Sequence, residues 1–286
     1  MSINDDSVAQ KTTSFDGASA VRVAGAAIIG QRDEQQDCHA WTILSEDPLH
    51  LVAALADGMG GEVGGRVASE LAIKAALAGY RETSGAVGDR LHTALASAND
   101  TLARRIRSEP TLGGMGCTLV VLALTPDGMR WISVGDSPLW HVRDGRLRRL
   151  NEDHSMRPAL AQLVETGRIT ADEAARDPQR NALRSCVVGA EIDLIDGPSD
   201  PVTLAPGDIV ILASDGLETL SEEEIATHLL AARSQLPKSG VAALLAAVEA
   251  KNRPRQDNVS VIAVFVDKAH RTRPSLFARL KSALAR

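Results

Sequence analysis

The chain has 286 residues, of which 44% are apolar and 24% charged, so it can form one large domain or two small ones and is too apolar to be wholly disordered. Its net charge of −6 and aromatic content of 2% disfavour nucleic acid as the main ligand. No apolar run approaches 18 residues, residues 1–20 contain no signal-peptide core, and three cysteines make no disulfide framework. We therefore expect a reduced, cytoplasmic protein without a membrane span.

Charge is unevenly distributed along the chain. Residues 270–286 contain five Lys or Arg residues and no acid, which leaves 26 bases and 37 acids, a net charge of −11, in residues 1–269. This pattern suggests a polar N-terminal segment, 1–20, a main domain, 21–268, and a basic tail, 269–286. Apolar residues in the tail fall near helical spacing, so the tail is either a helix that contacts a membrane surface or partner, or a frayed or self-docked end.

Hydrophobic patterning predicts groups of strands and a pair of consecutive helices. In chain order, the predicted elements are strands 21–30 and 49–56, a loop 57–61, helices 66–80 and 87–106, strands 117–124, 129–134 and 139–143, a polar, partly helical excursion 153–189, strand 209–213, a helix capped by Ser221 and Glu224, helix 241–250 and strand 259–266. Short strands joined by turns pair antiparallel. The expected class is therefore α+β with antiparallel sheets.

Aspartates fall at the ends of the predicted strands. Asp57 and Asp215 follow strands 49–56 and 209–213, Asp136 follows strand 129–134, Asp257 precedes strand 259–266, and Asp37 follows the first strand. A single aspartate at a strand end is most often a turn former. Five of them would concentrate negative charge at one place, and such a cluster requires protons or cations to neutralise it.

Hard divalent cations suit such a cluster. Mg²⁺ and Mn²⁺ prefer carboxylate, carbonyl and water oxygens, and the seven scattered histidines give no zinc spacing. The glycines after Asp57 allow a backbone carbonyl to approach a cation. Two such cations can activate a shared water for phosphoryl displacement. Arg32, five residues before Asp37, can supply a guanidinium for the phosphate, although an arginine taken alone is most often a surface residue.

Eight short motifs occur in order between residues 30 and 266. They are Gly30-x-Arg32-x-x-x-Gln36-Asp37, Ala56-Asp57-Gly58-Met59-Gly60-Gly61, Gly116-Cys117-Thr118-Leu119, Val134-Gly135-Asp136-Ser137, Leu150-Asn151-Glu152-Asp153-His154-Ser155, Arg180-Asn181-Ala182-Leu183, Ser214-Asp215-Gly216-Leu217 and Asp257-Asn258-Val259-Ser260. With these motifs the sequence resembles the metal-dependent protein phosphatase (PPM, type 2C) family of serine/threonine phosphatases in its compact bacterial form.

The resemblance implies a central antiparallel β-sandwich flanked by helix pairs, with a dinuclear Mn²⁺ or Mg²⁺ site at one end. In that family pattern Asp57 bridges both metals and positions the attacking water, and the Gly58 carbonyl binds one metal. Asp215 and Asp257 complete the shell of the other metal, and Asp37 binds directly or through water. Asp136, with Asp215, makes a weak third site. Arg32 clamps the substrate phosphate, and residues 153–189 form a mobile flap.

Several positions depart from the family pattern. Gln35 and Gln36 stand where the family has Asn followed by Glu or Gln, and we expect slightly weaker metal binding from them. Pro138 replaces a common arginine, and Thr219 replaces an acid that family members often have. Met59 replaces the histidine of eukaryotic relatives, as is usual in bacterial members.

The resemblance predicts a phosphoserine/phosphothreonine protein phosphatase that acts as a monomer, on phosphoproteins, opposite a serine/threonine kinase system. Two alternatives remain at this stage. One is a pseudophosphatase or regulatory binding module with the same fold, disfavoured by the retention of Asp57, Asp215, Asp257 and Arg32. The other is a phosphatase for small phosphate monoesters.

Overall fold

A computed structural model describes residues 21–46, 49–233 and 236–267. The predicted N-terminal segment 1–20 and the basic tail 269–286 lie outside the described residues. The strands are β1 Val21–Ile28, β2 Cys38–Glu46, β3 Leu49–Ala56, β4 Gly58–Met59, β5 Gly116–Cys117, β6 Leu119–Thr125, β7 Gly128–Val134, β8 Leu139–Arg143, β9 Arg146–Arg149, β10 Ile209–Ala213 and β11 Val259–Val266. The helices are α1 Gly61–Glu82, α2 Val87–Ser108, α3 Arg157–Glu165, α4 Ala171–Arg176, α5 Glu222–Ala231 and α6 Pro237–Ala250.

Two antiparallel sheets stack face to face. One has the strand order β1-β11-β10-β8-β9 and the other β2-β3-β6-β7. Side chains such as Leu55, Leu122 and Leu212 fill the space between the sheets. Strands β6, β10 and β11 are buried almost throughout, because each packs on the opposite sheet with one face and on helices with the other. This double burial explains why they appear in the sequence as continuous apolar runs.

Helix pairs cover both outer faces of the sandwich. Helices α1 and α2 pack on β3 and β6 of the four-stranded sheet, and α5 and α6 pack on the five-stranded sheet. Ala68, Ala72 and Ala76 repeat every four residues along α1 and are fully buried, so these small side chains line the packed face of the helix. The resulting four layers confirm the predicted α+β architecture with antiparallel sheets. No helix among the described residues has the length and apolar character needed to span a bilayer.

The structure corrects the prediction in the first quarter of the chain. Strand β2 was not predicted, because polar His39, Thr42 and Ser45 interrupt its apolar pattern. Asp37 therefore lies directly before β2 and not at the end of the first strand. Segment 57–61, predicted as a loop, contains β4, whose Gly58 pairs with Cys117 of β5. Further along the chain, strand β9 was not predicted either.

The excursion 153–189, here called the flap, is partly helical as predicted, with α3 and α4 inside it. Antiparallel bridges join Val187 to Cys117 and Leu183 to Ser155. The backbone N–H of Arg184 donates to the carbonyl of His154. The two ends of the flap are thus fastened to each other and to β5, beside the loop that carries Asp57.

Candidate functional site

The five predicted aspartates lie at one end of the sandwich. In the four-stranded sheet, Asp57 follows the end of β3, Asp37 precedes the start of β2 and Asp136 follows the end of β7. In the five-stranded sheet, Asp215 follows the end of β10 and Asp257 precedes the start of β11. Since paired antiparallel strands run in opposite directions, the end of one meets the start of the next at the same edge.

A cleft of about 730 Å³ opens at this edge. Its lining combines acids from both sheets, the arginine loop and the flap: Arg32, Asp57, Gly58, Asp136, Asn181, Ala182, Leu183, Asp215 and Asp257. Asp37 is not on the lining; it is buried beneath it, with 4% of its surface exposed. The structure thus brings six of the seven predicted site residues to the cleft wall and Asp37 directly behind it.

Asp37 joins the two sheets through a buried hydrogen bond. The Ser214 hydroxyl donates to Asp37 Oδ2 at 2.7 Å and accepts from the backbone N–H of Ser260 at 2.9 Å. The other oxygen, Oδ1, is buried without a hydrogen-bond partner among the described residues. Burial is the main reason that the pKa of Asp37 rises from 3.8 to about 7. An orphaned buried carboxylate oxygen is unfavourable unless a proton or a cation meets it.

Asp57 is held by its backbone. Its N–H donates to Thr118 Oγ1 at 2.9 Å, and its carbonyl accepts from the Thr118 N–H at 2.9 Å. Gly135, at φ +103°, passes so close to Thr118 that a Cβ there would lie 2.7 Å from the Thr118 Cβ, so only glycine fits. This clamp fixes the start of β4 relative to the end of β7.

Burial and mutual repulsion weaken the acidity of the cleft carboxyls. Burial first, and then the charges of Asp37, Asp215 and Asp257, raises the pKa of Asp57 well above its usual range. Burial, followed by the charges of Asp136 and Asp257, raises the pKa of Asp215 to about 7. Such a set gains free energy when a divalent cation replaces protons, because the cation neutralises several like charges at once.

Ion pairs and hydrogen bonds already engage three of the five carboxylates. Asp257 Oδ2 accepts from Arg32 Nη2 at 2.6 Å, Asp136 Oδ2 from Arg157 Nη2 at 3.1 Å, and Asp37 from Ser214. Among the described residues, no three His, Cys, Asp or Glu side chains are assembled as a ready coordination shell. The oxygen-only donors, the orphaned Asp37 Oδ1 and the raised pKa values nevertheless fit hard divalent cations.

The loop that carries Arg32 is fastened by Asn258. The Asn258 amide donates to the carbonyls of Ile29 and Glu34, and its oxygen accepts from the Gln36 N–H. The Arg32 guanidinium at the tip remains half exposed. Neutral amides complete the loop, with Gln35 Nε2 donating to the Ile28 carbonyl and Gln35 Oε1 accepting from the Asp37 N–H. Gln35, a departure from the family pattern, therefore has a structural role.

Asp136 belongs to an ion-pair cluster that the sequence analysis missed. Arg157, at the start of α3, contacts Asp136, Asp153 and Glu218. Burial raises the pKa of Asp136 to about 6 although Arg157 lowers it. No sequence signal marks Arg157, because it lies in a polar segment without periodicity. Glu218 could have been noticed, since it adjoins the departing position Thr219.

Thr219 forms a neutral hydrogen bond at the position where family members often have an acid. Its hydroxyl donates to Gln256 Oε1 at 2.8 Å, and Gln256 Nε2 donates to the Gly216 carbonyl. The 3₁₀ turn Asp215–Thr219 is thereby tied to the residue that precedes Asp257. The departure replaces a charge with a neutral link between the two aspartate-bearing loops.

Known proteins are similar to this chain in sequence and in fold. A family model described as "Protein phosphatase 2C" matches residues 24–249. The serine/threonine protein phosphatase PstP of Mycobacterium tuberculosis is 35% identical over 225 residues, which cover 76% of this chain and 41% of that protein. The chain thus spans less than half the length of this curated relative.

Solved structures align over most of the chain. The S. agalactiae serine/threonine phosphatase has a TM-score of 0.73 and 29% identity, covering 86% of this chain and 100% of its own. The catalytic domain of PstP in complex with two manganese ions has a TM-score of 0.68 and 29% identity, covering 87% of this chain and 99% of its own.

Proposed function

The chain belongs to the protein phosphatase 2C family, and from that premise we propose that it hydrolyses phosphoserine and phosphothreonine in proteins with the help of Mn²⁺ or Mg²⁺. The observation that carries the proposal is the convergence of four aspartates from two sheets on one cleft, with Asp37 buried behind them and Arg32 at the cleft mouth. The two manganese ions of the PstP catalytic domain support the choice of cation.

Two cations would be held by residues of both sheets. Asp57 would bridge them. The Gly58 carbonyl would bind one cation, and Asp215 with Asp257 would hold the other. Asp37 would bind a cation directly or through a water. A weaker third cation would lie between Asp136 and Asp215. When bound, such cations activate a water for in-line attack on phosphorus and offset the charge of the phosphate oxygens.

Arg32 would orient the substrate phosphate. Asp257 takes one of the five N–H donors of its guanidinium, so the remaining donors can bind two phosphate oxygens as a fork. Asn258 holds the backbone on both sides of Arg32, which limits the freedom that binding must remove. The chain thus provides a fixed loop with a half-exposed guanidinium at its tip.

Protein substrates suit the position of the cleft at the open edge of the sandwich, where its rim is built from loop 31–36 and the flap. We extend the proposal to an opposing serine/threonine kinase that supplies the phosphoprotein, and to a cytoplasmic enzyme that acts as a monomer. A pseudophosphatase that only binds a partner is disfavoured, because Arg32 is retained on the same cleft as Asp57, Asp215 and Asp257, and a module that binds no phosphate has no need of it.

Hydrolysis of a phosphothreonine peptide tests the proposal. Turnover should require Mn²⁺ or Mg²⁺ and stop in EDTA, since protons alone cannot activate the water. Asp57→Asn should remove nearly all turnover and leave the circular dichroism spectrum unchanged. Asp172→Asn, at an exposed aspartate of α4, is the matched control and should keep full activity.

Three results would contradict this function. Undiminished hydrolysis in EDTA or by Asp57→Asn would exclude the metal mechanism. Rapid turnover of small phosphate monoesters, with none of phosphopeptides, would favour the small-molecule alternative. Tight Mn²⁺ binding without hydrolysis of any phosphate ester would favour the pseudophosphatase.

A further inference from the structure

Arg157 lies where three acids from different parts of the chain converge. Its guanidinium is 3.1 Å from Asp136 Oδ2 and 3.0 Å from Asp153 Oδ2, and it also pairs with Glu218. Asp136 follows β7, Glu218 lies in the turn after β10, and Arg157 begins α3 of the flap. The side chain of Arg157 is 22% exposed and that of Asp136 is 7% exposed. The contact is therefore largely shielded from solvent.

This arrangement determines what else can approach Asp136. A guanidinium stays protonated at any physiological pH, and its planar fork engages several carboxylates at once. In the neighbouring turn, Thr219 bonds Gln256 and offers no carboxylate, while Glu218 is already bound to Arg157. A cation between Asp136 and Asp215 would therefore meet a fixed positive charge and gain no further acid from this turn.

We propose that Arg157 is a built-in counter-cation for Asp136, so that a third divalent ion binds there only when Arg157 leaves and the start of the flap is released. The inference rests on the proposed function, because it presupposes two tighter cation sites on the other aspartates. Third-site binding and anchoring of α3 then exclude each other. The concentration of free cation would in this way control the attachment of the flap.

Arg149 offers a matched control within the same cluster. It lies 3.5 Å from Glu218 and 3.7 Å from Asp153, and its Nη2 donates to the backbone carbonyl of Asp136. No ion pair joins it to the Asp136 carboxylate in the described residues. Replacing either arginine with methionine removes one positive charge from the same neighbourhood, but only Arg157→Met frees Asp136 Oδ2.

The test counts Mn²⁺ ions on the full-length protein by calorimetry and by electron paramagnetic resonance, without substrate. Wild type should bind two ions tightly and a third weakly. Arg157→Met should lower the Kd of the third site about 10-fold or more, a coupling of ordinary size, while Arg149→Met should change it far less. Asp136→Asn in the Arg157→Met background should remove the gained site.

A second readout follows the flap itself. Amide hydrogen exchange in residues 155–165 of wild type should accelerate at Mn²⁺ concentrations that fill the third site, and stay slow when only the two tight sites are filled. If Arg157→Met does not fold, Arg157→Lys keeps the charge but loses the fork, and its third-site Kd should still fall below that of wild type.

Several outcomes would overturn the inference. One is a third-site Kd that is the same in Arg157→Met as in wild type. Another is an equal fall of that Kd in Arg149→Met. The third is amide exchange in the flap that does not change when the third ion binds. Failure of the proposed function looks different. Either wild type would lack the two tight sites, or it would bind Mn²⁺ tightly and not hydrolyse the phosphothreonine peptide.

Discussion

At the scale of single residues, burial of the Asp37 and Asp215 carboxyls destabilises the metal-free fold. Each is a carboxyl largely removed from water, and burial raises the pKa of each from 3.8 to about 7. Ser214 satisfies one oxygen of Asp37, and the other has no hydrogen-bond partner in the part of the chain that the structure describes. A residue kept in this state weakens the fold by itself and gains free energy only from a ligand.

A pH dependence follows from these raised pKa values. Between pH 3.8 and about 7 the folded, metal-free protein holds protons that the unfolded chain has lost, so the stability these groups contribute is full below pH 3.8 and disappears as the pH rises toward 7. The test compares wild type with the double variant Asp37→Asn/Asp215→Asn, both in EDTA. The free energy of unfolding of wild type minus that of the double variant should fall as the pH rises across this window. Urea titrations at several pH values measure it, and a rising difference would contradict it.

Replacing Arg32 should separate phosphate binding from cation binding. Arg32→Ala removes a bidentate charged contact worth roughly 1.5–3 kcal/mol, so kcat/KM for a phosphopeptide should fall about 10- to 100-fold. The Mn²⁺ affinity of the free protein should not weaken, because the mutation also frees Asp257 from its ion pair.

Arg66→Ala provides the control for the loss of an exposed arginine nearby, since Arg66 contacts Glu34 and Glu70 and does not line the cleft. It should leave the phosphopeptide kinetics close to those of wild type. Equal kinetics for Arg32→Ala and wild type would remove Arg32 from the phosphate site.

At the scale of elements, the loop 29–36 depends on one side chain that lies directly before β11. Asn258, 4% exposed, makes three hydrogen bonds to the backbone of this loop. Asn258→Ala should destabilise the fold by roughly 3 kcal/mol, at about 1 kcal/mol for each lost bond. It should also raise KM more than it lowers kcat, because Arg32 is no longer held at the cleft mouth.

Asn99→Ala is the comparison for an asparagine that fastens a different segment. Asn99 joins α2 to the backbone of Gly189 and Ala190, away from Arg32. It should lower the melting temperature and raise KM less than Asn258→Ala does, because it loosens the end of the flap and not the Arg32 loop. If both variants raised KM alike, Asn258 would have no special link to the Arg32 loop.

The sequence predicted those elements whose residues are buried in a regular pattern. Strands β3, β10 and β11 match their predicted bounds, since continuous apolar runs mark strands covered on both faces. Strand β2 could not be found, because its pairing with β3 includes a bulge between Ile43 and Ser45 and polar residues break the pattern. Two-residue β4 exists only through its pairing with β5, which local sequence does not encode.

The same distinction holds for the candidate site. Placement at strand ends predicted the convergence of Asp57, Asp136, Asp215 and Asp257, whereas Asp37 was assigned to the end of the first strand and in fact precedes β2. The partners of those carboxyls were beyond the sequence, because the Arg157–Asp136 and Ser214–Asp37 contacts join residues far apart in the chain. Their energies depend on burial, which only the folded sandwich defines.

At the scale of the whole molecule, the five-stranded sheet pairs strands from the beginning and the end of the described chain. Strand β11 lies between β1 and β10, and β1 has no other strand neighbour among the described residues. Along the chain β11 is the last described element, and Asp257 stands directly before it. The aspartate cluster is therefore complete only when β11 has joined the sheet and brought Asp257 to the cleft.

This insertion has a consequence for synthesis on the ribosome. Roughly 230 residues separate β1 from β11, which at about 5–20 residues per second leaves the first strand without its partner for about 10–45 s. During that time Asp37 and Arg32 have been made but Asp257 and Asn258 have not. A nascent chain therefore cannot assemble the aspartate cluster, and the proposed phosphatase activity would begin only once β11 has emerged and completed the sheet.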